Sequence, residues 1–436
     1  MRCECCGQCV GAPRYSSFGY ADNARAGLAG NSRCERHGLT LSKHVPPEEL
    51  ISVSVLTGFL GSGKTTLLAS LLKKPELSDT AVVINEFGEI GLDHHLLEST
   101  EENIVQLDSG CLCCTVRGDL LETMRRLYEK RESGDIPRFK RVVVETTGLA
   151  DPAPIIHTLL NDPTLIDCFK LDGVLTVIDG VNGQTTLDNH KEAVKQAAVA
   201  DRLLLTKTDV ADSVMPLRDR LKHLNPAAPI IKVENGDADP NDLFNTGYYN
   251  PETKTSDVAG WLKEEAYLAQ EALEAVGQAR HGDGHDHGEK HDHSHGGHDH
   301  FGHHHHHDVN RHDDHIQAYC VTREKPISVL AVNMLMQILF EHRGEDLLRV
   351  KGIINITEHP GRPAVIHAVQ HLMHPVAWLE KWPDEDERSR IVFITRDISR
   401  DWIEALIEGL DEEAEHAKAK QVAEAKAERE KNDSVH

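Results

Sequence analysis

The chain has 436 residues, too many for one ordinary hydrophobic core, and a formal net charge of −24, so two folded units with appendages are expected. That acidity leaves nothing to neutralise phosphates over an extended surface, which argues against nucleic-acid binding. No run approaches the roughly 20 apolar residues of a membrane span, and residues 1–30 lack the apolar core of a secretory leader, so no membrane partner and a cytoplasmic location are expected.

Residues 1–50 are Gly-, Ser- and Arg-rich without periodicity and read as a poorly ordered, Cys-containing extension. From Ile51 the pattern changes. Residues 51–57, 80–85, 141–145, 173–179 and 202–206 are short β-branched or leucine runs without polar alternation, as expected of parallel strands buried on both faces. Helical patterns at 64–72, 119–130 and 214–224 alternate with them, and a strand at 229–233 closes the unit near residue 245. This predicts an α/β fold, a doubly wound and mostly parallel sheet with ligands at the carboxyl ends of its strands.

Residues 246–315 form a connector, with a candidate helix at 261–276 followed by a low-complexity tract that cannot build a core. Fifteen of the 29 histidines fall between His281 and His315. A small α+β unit is expected over 316–410, with strands at 316–322, 349–356, 363–369 and 390–395 and helices at 328–342 and 399–410. The Ala/Glu/Lys-rich tail, 411–436, reads as an exposed charged helix or as disorder.

The segment Gly58-Phe-Leu-Gly61-Ser62-Gly63-Lys64-Thr65 fits the phosphate-binding loop pattern, following a buried strand and opening a helix. Its glycines let backbone N–H groups converge on phosphate, and the helix N-terminus adds favourable partial charge. Lys64 can reach the β- and γ-phosphates, the Thr65 hydroxyl can ligate Mg²⁺, and Ser62 and Thr66 complete the cradle. Glu145, at the end of its strand, would lie near the Mg²⁺. Thr206-Lys207-Thr208-Asp209 follows the fifth strand. A carboxylate at Asp209 can accept from the two donors of guanine that adenine lacks, and Lys207 can lie along the base, so GTP is expected over ATP. Thr206 stands where GTPases usually carry Asn, a change expected to loosen the loop. Asp179 also ends a strand and is given a lesser direct role.

Eight of the ten cysteines cluster, with Cys3, Cys5, Cys6, Cys9 and Cys34 near the start and Cys111, Cys113 and Cys114 together, while Cys168 and Cys320 stand alone. Clusters in a large chain read as metal or redox sites and not as a disulfide framework. Gly110–Cys114, expected as a loop between residues 103–107 and a helix, supplies three thiolates, which suit zinc, copper(I) or related ions. Three ligands leave one position open, as a metal in transit requires. A redox-active or merely buried group is the alternative.

Taken in order, GFLGSGKTT, INEFGEIGLD (84–93), GCLCC, ETTGLADP (145–152) and TKTD resemble the CobW-type metallochaperone GTPase family. KGIINI, HAVQHL and ITRDI resemble that family's second domain, so the likeness spans roughly residues 51–410. The resemblance implies a GTP-hydrolysing protein, using Mg²⁺, that binds zinc, or next cobalt, at the cysteines and delivers it to a client protein. It also implies that Thr115, Val116 and Arg117 approach the nucleotide, that residues 85–89 act as a switch, and that Glu89 is a candidate auxiliary ligand. Lys64, Thr65 and Glu145 are then the catalytic candidates.

Two other readings stay open: a storage or sensing protein holding GTP as a static ligand, and a cobalt chaperone of a cobalamin pathway. A nickel-insertion GTPase would suit the histidine tract, but not the placement of GCLCC or the second domain. The histidine tract is expected to buffer metal for the cysteines. The N-terminal cysteines are a weaker candidate site, and a misassigned translation start competes with that reading. The sequence leaves the oligomeric state open.

Overall fold

The computed structural model describes residues 49–85, 104–106, 112–116, 120–234, 236–244 and 315–433, with side chains for all but 85, 104–106, 112–116 and 418–433. The N-terminal cysteines, Cys111, Arg117, Glu89, the 261–276 helix candidate and the histidine tract up to residue 314 lie outside the described residues.

The first unit runs β1 (Ile51–Gly58), α1 (Lys64–Leu71), β2 (Thr80–Asn85), β3 (Ile104–Gln106), β4 (Leu112–Val116), α2 (Leu120–Ser133) and β5 (Arg141–Thr146). It continues through α3 (Ala153–Asn161), α4 (Pro163–Ile166), β6 (Phe169–Asp179), α5 (Gly183–Asn189), α6 (Lys191–Val199), β7 (Arg202–Thr206), α7 (Met215–Leu224), β8 (Ile230–Lys232) and α8 (Pro240–Leu243). The eight strands lie in the order β3-β4-β2-β5-β1-β6-β7-β8. All neighbours are parallel except β3 and β4. The absence of polar alternation has a direct cause in β5. Val142 and Val144 pack into one core with α2 and α3, while Val143 packs into the other with Leu67 and Leu68 of α1. Each buried valine contributes about 2 kcal/mol, so neither face tolerates a polar residue.

In the second unit β9 (Ile316–Arg323), α9 (Val329–Arg343), β10 (Leu347–Ile354), β11 (Ala364–Val369), β12 (Leu372–Met373), β13 (Ala377–Trp378) and β14 (Ser389–Arg396) precede α10 (Arg400–Asp433). Its strands form an antiparallel sheet ordered β12-β11-β10-β14-β9, with β13 on β11. Ser328 caps α9, its Oγ accepting from the Ala331 N–H at 3.1 Å, which satisfies one of the orphan donors of the first turn. The charged tail forms one helix with residues 400–410: α10 continues to Asp433.

One face of the second sheet packs under α9 and α10. The other shares a core with the first unit, where Ala318, Leu348, Ile353 and Val392 meet Ala197, Leu203, Leu205 and Leu221. Within this seam Asp201 is buried with Arg349 and Lys351. The carboxylate accepts from Arg349, from Lys351 Nζ at 3.1 Å and from the Val174 N–H at 2.8 Å, and Arg349 also donates to the Val199 carbonyl. His367 and His374 stack beside them with centroids 4.2 Å apart. Burial, reinforced by the neighbouring Arg349 charge, pushes the Lys351 ammonium down to about 7 and His374 to about 3, with His367 also well below the usual imidazole value. Burial works against the Asp201 anion, yet Arg349 and Lys351 hold its carboxyl below the ordinary value.

Candidate nucleotide site and cysteine strand

The phosphate-binding loop is shaped by three glycines. Gly58 ends β1 at φ +143, and a Cβ there would fall 2.3 Å from the Val177 carbonyl oxygen of the neighbouring strand. Gly61 and Gly63 hold left-handed φ values of +72 and +95, a conformation that costs any side-chain-bearing residue. Gly63 precedes α1 directly, so the first amides of that helix face the loop mouth. Lys64 is buried, and its ammonium donates to the carbonyls of Gly58 (2.9 Å) and Phe59 (3.3 Å). The Phe59 ring stacks on His190, centroids 4.3 Å apart, and Ser62 is buried while Thr66 is exposed.

Glu145 lies beside this loop because β5 pairs with β1 in the register Leu56↔Glu145. Its carboxylate is buried, and Oε1 accepts from the Thr65 hydroxyl at 2.7 Å. A hydroxyl and a carboxylate in contact are the hard oxygen donors that Mg²⁺ takes, so this pair fits the ion used by P-loop enzymes.

The loop after β7 is tied to the same structure. Thr206 Oγ1 lies 2.7 Å from the Ser62 carbonyl oxygen and 3.1 Å from that of Ile178. The loosening expected from Thr in place of Asn is therefore absent, since the hydroxyl itself joins the two loops. Lys207 sits at φ +53 and donates to the Gly61 carbonyl at 2.8 Å and to Asp179 Oδ2 at 2.7 Å. Asp179 has more to do than its sequence position suggests. Burial opposes its charge, but Lys207, the Asn182 amide and the backbone N–H groups of Val181 and Asn182 keep its carboxyl below the ordinary range. Asp209 is exposed.

The segment after Glu145 is held at several points. The Thr146 hydroxyl donates to Thr57 Oγ1 at 2.9 Å. Gly148 lies so close to the phosphate loop that a Cβ would fall 2.6–2.8 Å from Leu60 atoms, including its backbone N and Cα. From α6, buried Gln196 donates to the carbonyls of Ala150 (2.9 Å) and Gly148 (3.3 Å). Sequence reasoning missed Gln196, Thr57 and the weight of Asp179. A lone Gln in the Ala/Val-rich run 193–199 was the available signal, since a polar residue on a buried helix face needs a partner.

Leu112–Val116 is a strand and not the expected loop. β4 lies between β2 and β3, pairing Val82↔Cys113, Val83↔Cys114, Ile84↔Thr115 and Asn85↔Val116 on one side. On the other it pairs Ile104↔Cys114 and Val105↔Cys113. Cysteine is a small, largely apolar side chain, and with the β-branched Thr115 and Val116 the run can enter a sheet. Cys113 and Cys114 thus occupy adjacent ladder positions. Because β2 also pairs Ile84↔Glu145, Thr115, Ile84, Glu145 and Leu56 fall on one level across four strands. Glu145 and Thr115 are two strands apart, roughly 10 Å at the usual inter-strand spacing.

Two family models match the chain: the CobW/HypB/UreG nucleotide-binding domain over residues 52–232, and the cobalamin synthesis protein cobW C-terminal domain over 316–410. The zinc chaperone YjiA of Escherichia coli (strain K12) is 32% identical over 360 residues, covering 83% of this chain and 98% of that protein. The zinc chaperone CobW of Sinorhizobium sp is 32% identical over 228 residues, covering 45% of this chain and 63% of that protein. A crystal structure of Zn(II)-bound YjiA GTPase from E. coli aligns with a TM-score of 0.59 at 29% identity, covering 83% of this chain and 99% of that one. No helix among the described residues is long and apolar enough to cross a membrane. With a P-loop on a parallel sheet, a shared core joining it to an antiparallel second unit, and both domain models matched, the chain belongs to the CobW family.

Proposed function

We propose that this chain is a GTPase that takes up zinc at Cys111, Cys113 and Cys114 and hands it to a client protein, with the nucleotide cycle controlling the hand-over. The observation that carries the reading is the register that puts Glu145 and Thr115 on one level of the sheet, so the strand of Cys113 and Cys114 reaches the same edge as the phosphate loop. Zinc is the cargo named for YjiA and for CobW of Sinorhizobium, and thiolates suit it. Cobalt, which the same ligands accept, is the second candidate.

In this mechanism the amides of residues 61–65 and Lys64 hold the phosphates, while Lys207 and Asp209 select guanine. Thr65 and Glu145 would hold Mg²⁺, which neutralises charge developing on the phosphates. Glu145 accepts from the Thr65 hydroxyl, which leaves the lone pairs of that hydroxyl oxygen for the ion. Thr115, Val116 and Arg117 would pass the nucleotide state to the cysteines. Successive strand residues face opposite sides of a sheet, so bringing both Cys113 and Cys114 onto one ion would require β4 to open, a step the nucleotide could control. The histidine tract, with imidazoles that exchange divalent ions quickly, would feed the site.

The test measures zinc and cobalt affinity by chelator competition with GTP·Mg²⁺ and with GDP·Mg²⁺ bound, alongside GTP turnover. The reading expects measurable turnover and a zinc affinity differing about tenfold between the two nucleotides. The difference should be lost in the C111A/C113A/C114A variant. No turnover in Mg²⁺ would leave a storage or sensing protein instead, and a nucleotide-dependent affinity for cobalt alone would change the cargo.

A further inference from the structure

One hairpin of the second domain is packed into the core of the first. β11 and β12 are joined by the two-residue turn Gln370–His371. Its flanks, Val369 and Leu372, are buried in the first domain's core with Ala153, Ile155, Ile156 and Leu159. The turn is braced from its own side. His371 Nδ1 lies 3.1 Å from the Phe340 carbonyl oxygen, and a Cβ on Gly344 would fall 1.8 Å from that nitrogen.

Gln370 holds a left-handed backbone at φ +51, where hairpin turns usually place Gly or Asn. The conformation is unfavourable for glutamine, and the side chain offsets it with a specific contact. Gln370 is 9% exposed, and its Nε2 donates to Asp151 Oδ2 at 3.0 Å. Asp151 Oδ1 accepts from the Ala153 N–H at 3.0 Å, and Lys195 Nζ stands 3.6 Å from Oδ2.

Asp151 ends the segment that begins at Glu145. Along it, Glu145 meets Thr65, Gly148 lies on Leu60, and Gln196 holds the Gly148 and Ala150 carbonyls. A shift at Asp151 has little slack to absorb it, because Gly148 is already in contact with the phosphate-loop backbone. We propose that Gln370 is a positioning residue for the nucleotide site: through Asp151 it fixes the Glu145–Asp151 segment against the phosphate loop, so the second domain sets the rate of GTP turnover. The proposal rests on the GTPase reading above and extends it to a regulatory role for the second domain.

Full-length wild type is compared with Q370A, Q370E and the swap D151N/Q370E by steady-state GTP turnover, binding of a fluorescent GDP analogue and thermal midpoint. Q370A removes the donor, and Q370E sets a second carboxylate against Asp151. Both are expected to lower kcat by about fivefold, the rate equivalent of one ordinary hydrogen bond, with GDP affinity within about twofold of wild type. The swap exchanges donor and acceptor across the same contact and should recover at least about half of the wild-type kcat. Recovery by the swap separates positioning from general loosening, which would move the thermal midpoint without restoring the rate. Wild-type kcat in both single variants, or a swap no better than Q370E, overturns the proposal. Absence of turnover in the wild type itself would instead overturn the GTPase reading.

Discussion

Replacing Asp201 with Ala tests how the two domains are held together. The carboxylate accepts hydrogen bonds from both Arg349 and Lys351, and all three are buried in the seam. Asp201→Ala would leave two buried cations without it. Lys351, already pushed down to about 7, can shed its proton, but the Arg349 guanidinium cannot. Breaking a buried pair from one side costs 3–5 kcal/mol, and losing the acceptor for the Val174 N–H falls within that figure. A loss of about 4 kcal/mol is therefore expected. Urea unfolding followed by tryptophan fluorescence is a suitable assay, because Trp378, Trp382 and Trp402, three of the four tryptophans, lie in the second domain. The triple variant D201L/R349M/K351M, which removes every charge, should lie within about 1 kcal/mol of wild type. A loss below about 1 kcal/mol for Asp201→Ala, or a triple variant as weak as the single one, would refute the reasoning.

The same cluster sets a pH dependence. His367 and His374 have depressed folded-state values, so the unfolded chain takes up protons first as pH falls, and stability is lost between about 6.5 and about 3 for His374. Lys351 acts likewise from about 10.5 down to about 7, so the urea midpoint should rise between pH 7 and pH 9, and K351M should flatten that rise. Asp209→Asn should weaken GTP binding about 50-fold by removing a charged acceptor, while xanthine nucleotides, whose 2-oxygen can accept from the amide, should lose far less. Equal losses for both bases in a binding titration would count against Asp209 as the reader of the base. Gly148→Ala forces a Cβ to within 2.6–2.8 Å of Leu60, an overpacking worth 1–3 kcal/mol. It should slow GTP turnover about tenfold with the chain still folded by circular dichroism.

What the sequence disclosed follows the physics of each element. Buried parallel strands need uninterrupted apolar runs, and β2 and β7 begin and end at the residues expected from theirs. β6 starts four residues before the expected Gly173 because Asp172, which breaks the apolar run, is buried and accepts from the Ser54 hydroxyl at 3.0 Å. α5 and α6 went unseen because their stretch, 183–199, mixes Thr, Asn, Gln and Ala with few large apolar residues. β4 was hidden because cysteines side by side suggest ligands before they suggest a strand. The phosphate loop was legible because its chemistry dictates residue types at fixed spacing. Gln196, Asp151 and Gln370 were not, since they act through contacts between residues 46 to 219 positions apart, and spacing along a chain carries no trace of such pairs.

The strand placement of Cys113 and Cys114 also bears on engineering. A backbone pinned by ladders on both sides is specified by its neighbours, while the side chains it presents are a separate choice. β4 can therefore be treated as an exchangeable cassette. Histidine or aspartate written in place of Cys113 or Cys114 would present a harder donor than thiolate, while the phosphate loop and Glu145 keep the sequences that build them. Changing what that strand presents then becomes a problem of a few side chains on an existing frame.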